Sequence, residues 1–128
     1  MLRDRDEKNC YRSQCYATTH ALVKELGITT PVRVTFQSRL GPSEWIKPYT
    51  DETLVELAKK NSKRVLIACP AFTVDCLETL EEIMLENRKA FTEAGGEVFD
   101  YAACLNDDDQ WCQDLADLID EGTHFNRL

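Results

Sequence analysis

Residues 75–86 hold the densest set of groups able to do chemistry in this chain. At about 100° per residue, Asp75, Glu78, Glu82 and Glu86 fall at i, i+3, i+7 and i+11 and form a narrow acidic stripe on one side of a helix. Cys76, Leu80, Ile83, Met84 and Phe91 fall on the other side. One reading is an amphipathic helix with a buried apolar face and a solvated acidic back. The other is a ladder of carboxylates leading a divalent cation to a site, since oxygen ligands suit hard and borderline cations. Spacing alone does not separate the two. The setting is one where α/β proteins place their chemistry: Val65-Leu66-Ile67-Ala68 is an apolar run of strand length, Pro70 stops it, and Thr73 or Asp75 can cap the helix that follows. In open parallel sheets, ligands bind beyond the carboxyl ends of strands, where helix N-termini point inward.

A second polar strand end lies at Gln37-Ser38-Arg39, followed by Gly41 and by Trp45. The Trp45 indole either offers a large rigid face to a flat ligand or packs its loop onto the domain. Of six cysteines, Cys69, Cys76 and Cys104 sit at strand ends or on an apolar helix face and read as small buried hydrophobes, and Cys112 reads the same way. Cys10 and Cys15 are the closest pair in sequence, but two thiolates do not complete a four-ligand cluster. His20 lies mid-helix among Thr19, Ala21 and Lys24 and reads as exposed, while His124 lies in a polar tail.

The elements that must position these groups alternate. Residues 11–26 read as a helix stopped by Gly27, residues 31–37 as a strand, and residues 50–61 as a helix with Thr50 as N-cap ahead of Asp51 and Glu52. A strand at 63–69, a long helix at 73–93 closed by Gly95-Gly96, a strand at 97–102 and a helix at 107–120 complete the chain. Strands separated by such helices pair in parallel through right-handed crossovers. The expected fold is therefore α/β, a three-layer, Rossmann-like sandwich in a single domain over residues 1–128. No Gly-rich loop joins a strand to a helix, which argues against a nucleotide binder.

Composition narrows the function further. At 128 residues and 43% hydrophobic content the chain can bury a core without staples. Its net charge of -8 argues against nucleic acid and against docking to anionic lipid. No run reads as a signal peptide or a transmembrane segment, so a soluble, cytoplasmic protein with reduced cysteines is expected.

The run from Cys69 through Pro70-Ala71-Phe72-Thr73-Val74-Asp75-Cys76-Leu77-Glu78-Thr79-Leu80-Glu81-Glu82 resembles a signature of the ferrochelatases, the enzymes that insert ferrous iron into a porphyrin in haem synthesis. Val34-Thr35-Phe36-Gln37-Ser38-Arg39-Leu40-Gly41, with Trp45 and Pro48-Tyr49-Thr50-Asp51 beyond it, is similar to the family's segment bordering the porphyrin. Tyr11-Arg12-Ser13-Gln14-Cys15 and Cys104-Leu105-Asn106-Asp107 match two further segments in the family's order. The resemblance runs from about residue 10 to residue 120. One departure matters: the family's His-Gly loop, whose His binds metal or accepts protons, is absent from this chain. The resemblance thus implies the C-terminal portion of the enzyme without its N-terminal half, a chelatase-like sheet truncated at its N-terminal edge, and a chain inactive by itself.

Metallation of a porphyrin requires two pyrrole protons to be removed, the macrocycle to be bent and a dehydrated cation to be delivered. The chemistry and the resemblance together assign the catalytic and metal role to Glu78, whose pKa would rise towards neutrality beside an apolar ring pocket. Asp75 and Glu82 become stations for metal entry or proton exit. Trp45, with Gln37, Ser38 and Arg39, becomes the porphyrin-binding set. Some ferrochelatases carry a [2Fe-2S] cluster, for which Cys10 would be a last ligand. The alternative is a standalone, non-catalytic α/β domain that binds a tetrapyrrole or a metal; the missing His favours it, and the retention of Glu78, Asp75, Glu82 and Trp45 opposes it.

Overall fold

The computed structural model describes residues 10–39, 41 and 44–122. Helix α1 spans Tyr11–Glu25 and ends where Gly27, at φ 60°, turns the chain left-handed. Gly27 N–H then reaches Lys24 O and Ile28 N–H reaches Val23 O, the paired bonds of a Schellman motif. Helix α2, Thr50–Lys59, carries Asp51 and Glu52 in its first turn and Lys59 in its last, each matched to the helix dipole. Asn61, at φ 68°, closes it in the same way, with Ser62 N–H on Leu57 O. The expected N-cap moves back by one residue: Tyr49 holds that position, and the Thr50 hydroxyl is spent on Thr35 Oγ1 at 2.9 Å.

Strands β1, Arg64–Ala68, and β2, Val98–Ala102, pair in parallel, with Arg64 opposite Val98 and Ala68 opposite Ala102. The α/β class and the parallel pairing are those expected from the sequence. Of the three expected strands, however, two form. Residues 31–37 join no ladder, because the backbone groups of Phe36 are used on a single parallel bridge: its N–H bonds Pro48 O and its carbonyl accepts from Thr50 N–H.

The connection from β1 to β2 also departs from expectation. The helix does not begin at 73. A π-helix runs from Glu78 to Asn87, and helix α3, Arg88–Glu93, continues it. Upstream, Thr79 Oγ1 accepts Cys76 N–H at 2.9 Å, and Asp75 N–H bonds Asn106 Oδ1 at 2.8 Å. Side chains thus capture the backbone donors that an earlier helical turn would use. The last helix, α4, spans Asp109–Gly122.

Leu54 and Ala58 of α2 meet Ile83, Phe91 and Phe99 in the core, with Val65, Ile67, Cys69 and Tyr101 packed against it. Ile83 and Phe91 are fully buried. Gly96 is required here: a Cβ would stand 2.1 Å from the Phe91 ring. Alternation along the strands sends Val65, Ile67, Phe99 and Tyr101 to this covered face. Leu66 points the other way and is 69% exposed. Helices α1 and α4, the elements a third layer would use, bury none of their residues.

Candidate functional site

The carboxyl end of β1 and the first turns of the π-helix hold most of the residues singled out in the sequence. Gln37 bridges them: its Nε2 donates to Glu78 O at 2.9 Å, and its Oε1 accepts from Cys69 Sγ at 3.4 Å. Burial pushes the Cys69 thiol up to about 12, reinforced by the nearby Cys104 and Asp75, so the group stays a protonated donor. Ser38, at φ 60°, turns its backbone N–H onto both oxygens of Glu82, at 2.9 and 3.2 Å, and its hydroxyl lies 3.3 Å from Oε2. Trp45 Nε1 donates to Gln37 O at 2.9 Å. These contacts fix the indole, the Gln37-Ser38 turn and the two carboxylate-bearing positions relative to one another.

Two clefts meet at this turn. One, of about 490 Å³, is lined mainly by aromatic and small groups, among them Tyr11, Phe36, Gln37, Trp45, Cys69 and Phe72. The other, also about 490 Å³, is lined by Ser38, Arg39 and Asp51 with Glu78, Glu82 and Glu86. Ser38 lines both. In the wider turn of the π-helix, Glu78, Glu82 and Glu86 stand at i, i+4 and i+8 along the acidic cleft, and Glu81 joins them.

Asp75 departs from the expected stripe. It lines neither cleft. Its Oδ1 accepts from Tyr101 OH at 2.8 Å and from Thr79 Oγ1 at 3.0 Å, and its Oδ2 accepts from Asn106 Nδ2 at 2.8 Å. Asn106, then Tyr101, holds the Asp75 carboxyl down to about 2. Tyr101 moves the opposite way, its phenol raised by burial and by its bonds to Cys104 and Asp75, and so remains a donor. Tyr101 was not flagged by the sequence, and Thr79 stood in the signature run with no role given to it. Asn106 stood in a matched segment, but nothing local tied it to Asp75, 31 positions away.

Glu78 is exposed. Its carboxyl is lowered by a hydrogen bond from the Cys76 side chain and by its own backbone N–H, opposite to the rise expected from a ring pocket, because no apolar wall covers it here. Arg39 is engaged within the chain: Nη2 lies 2.6 Å from Asp51 Oδ2, and the guanidinium sits 4.3 Å over the Tyr49 ring. His20 is exposed on α1, and His124 lies outside the described residues. Among the described residues no three of His, Cys, Asp or Glu are arranged to hold a metal ion. Cys10 stands at the N-cap of α1, and the other ligands of the cluster that the resemblance implies would lie upstream of it, outside the described residues. No helix among them is long and apolar enough to cross a membrane.

A parallel α/β unit with an aromatic cleft and an acidic cleft meeting beyond a strand end has the make-up of a small-molecule enzyme domain. The chain belongs to the ferrochelatase family, whose sequence model matches residues 2–123. It is 51% identical over 111 residues to the ferrochelatase of Herminiimonas arsenicoxydans, covering 86% of this chain and 30% of that protein. It is also 49% identical over 113 residues to that of Pseudomonas fluorescens (88% and 33%) and 49% identical over 115 residues to that of Vibrio atlanticus (89% and 36%). The chain thus spans about a third of the length of these curated relatives.

Proposed function

We propose that this chain supplies one wall of a ferrochelatase site, at which ferrous iron, as substrate, enters a porphyrin in haem biosynthesis. The observation that carries this reading is the junction at Gln37-Ser38, where a cleft with aromatic walls meets a cleft lined by carboxylates. Trp45 would face the macrocycle, with its N–H already satisfied by Gln37 and its ring free to stack. Glu78 would take a pyrrole proton as iron enters. A porphyrin seated above it would strip water from the carboxylate and raise the pKa that is now depressed. Glu82, oriented by Ser38, would pass the cation in or the proton out along the acidic cleft. Arg39 would have to exchange Asp51 for a porphyrin propionate, an exchange its exposed position permits. Cys69, Cys76, Cys104 and Cys112 are free thiols, which suits a reducing cytoplasm.

The remaining two thirds of a ferrochelatase would supply the opposite wall and the His, so the 128-residue chain alone is expected not to turn over. The test is a chimaera in which this chain replaces the matched segment of the Herminiimonas arsenicoxydans relative. Loss of porphyrin fluorescence with ferrous iron, above a no-protein control, supports the reading. Porphyrin binding without metallation would favour the non-catalytic binding domain instead.

A further inference from the structure

We propose that Tyr101 and Asn106 are positioning residues for Glu78, acting by clamping Asp75 so that the π-helix begins in one fixed place. This rests on the reading that Glu78 does the chemistry.

The Asp75 carboxylate receives three donors, two on Oδ1 and one on Oδ2. Its backbone N–H goes to Asn106 Oδ1. Asn106 is itself held at several points: its N–H bonds Thr73 O at 2.9 Å, and its Nδ2 also donates to Cys104 O at 3.0 Å. It stands at φ 51°, a left-handed conformation that Asn tolerates better than most residues. Tyr101 comes from β2, so the clamp ties the turn after β1 to the end of the neighbouring strand. Three residues beyond Asp75, the Glu78 carbonyl meets Gln37 Nε2, and Cys76, which flanks Asp75 directly, spends its backbone N–H on Thr79 Oγ1. A displacement of Asp75 therefore moves the backbone on which Glu78 aims its carboxylate. Three donors on its carboxylate and its place outside both clefts give Asp75 this positioning role in place of a station for the cation.

The test uses the chimaera and the full chain together. In the chimaera, Tyr101→Phe and Asn106→Gly are each expected to lower kcat about tenfold or more, with KM for iron and for porphyrin within about twofold of the parent. Asp75→Asn should lose activity, because two amide NH2 groups then face each other. Adding Asn106→Asp exchanges donor and acceptor between the two side chains while giving up the Nδ2 bond to Cys104 O, and should raise kcat at least about threefold over Asp75→Asn alone, although position 75 no longer carries charge. A parental kcat in Tyr101→Phe overturns the proposal. So does a raised iron KM in Asp75→Asn that the exchange leaves unrepaired, which would make Asp75 a cation station. Should the parent chimaera itself fail to metallate, the active-site reading fails separately. Amide exchange in the 128-residue chain then judges the clamp: faster exchange at Asp75 and Asn106 in Tyr101→Phe supports it, and unchanged protection overturns it.

Discussion

Replacing Trp45 separates its role against a ligand from its role in holding the loop. The indole is 37% exposed, so roughly three-fifths of its surface is covered, on the order of 125 Å² if a Trp buries about 200 Å² in full. At about 25 cal/mol per Å² this is worth about 3 kcal/mol, and a compact unfolded state reduces it to about 2. The bond from Nε1 to Gln37 O adds about 1 kcal/mol. Trp45→Phe, which keeps a ring and deletes the donor, is therefore expected to cost about 1 kcal/mol in urea unfolding of the chain. Trp45→Ala should cost about 2–3 kcal/mol, at or below the roughly 3–5 kcal/mol of an emptied core aromatic site. Porphyrin titration of the chimaera supplies the second half. Trp45→Ala should weaken affinity about 5- to 30-fold, the equivalent of about 1–2 kcal/mol, while Trp45→Phe stays within a few-fold. A stability loss of about 5 kcal/mol with unchanged porphyrin affinity would refute the reasoning and assign Trp45 to the core.

Three further outcomes are expected. In the chimaera, Glu78→Gln should lower metallation at least about a hundredfold with porphyrin affinity retained, while Glu86→Gln, at the far end of the acidic cleft, should be nearly silent; steady-state kinetics compares them. Gly96→Ala should destabilise the chain by about 3 kcal/mol or more, because the added Cβ meets a fully buried Phe91 that has nowhere to go, and the urea midpoint reads the loss. Because the Asp75 carboxyl is depressed to about 2, its stabilisation is complete above its unfolded pKa of about 3.9 and disappears as pH falls through 2. Unfolding measured from pH 6 to pH 2 should show that loss, and Asp75→Asn should flatten it.

The parts of the fold that were legible are those with local causes. Gly27 and Asn61 stop α1 and α2 through bonds that span a single turn, and β1 and β2 lie within a residue or two of their apolar runs. The parts that escaped are set by distant partners. Residues 31–37 alternate like a strand, but a ladder needs a neighbour, and among the described residues Phe36 bridges Tyr49 alone. Helical periodicity put Asp75 on the stripe with Glu78, yet Asn106, 31 positions on, pulls it off the helix altogether. At the site, the Glu78 carbonyl, the Glu82 carboxylate, Gln37, Ser38 and Trp45 are joined by hydrogen bonds that bridge up to 44 positions. No spacing rule reaches that far. The Asp51 partner of Arg39, 12 positions away, was hidden for the same reason.

The clamp on Asp75 also orders events on the ribosome. Asp75 and Asn106 lie 31 positions apart, so at about 5–20 residues per second the Asn emerges roughly 2–6 s after the carboxylate it must grip. Glu82, the later member of the Ser38 pair, emerges 24 positions ahead of Asn106, so that pair can meet first. The turn in front of Glu78 is therefore locked after the acidic cleft's own residues have been made, and from the far side, by Tyr101 of the last strand and by Asn106 just beyond it.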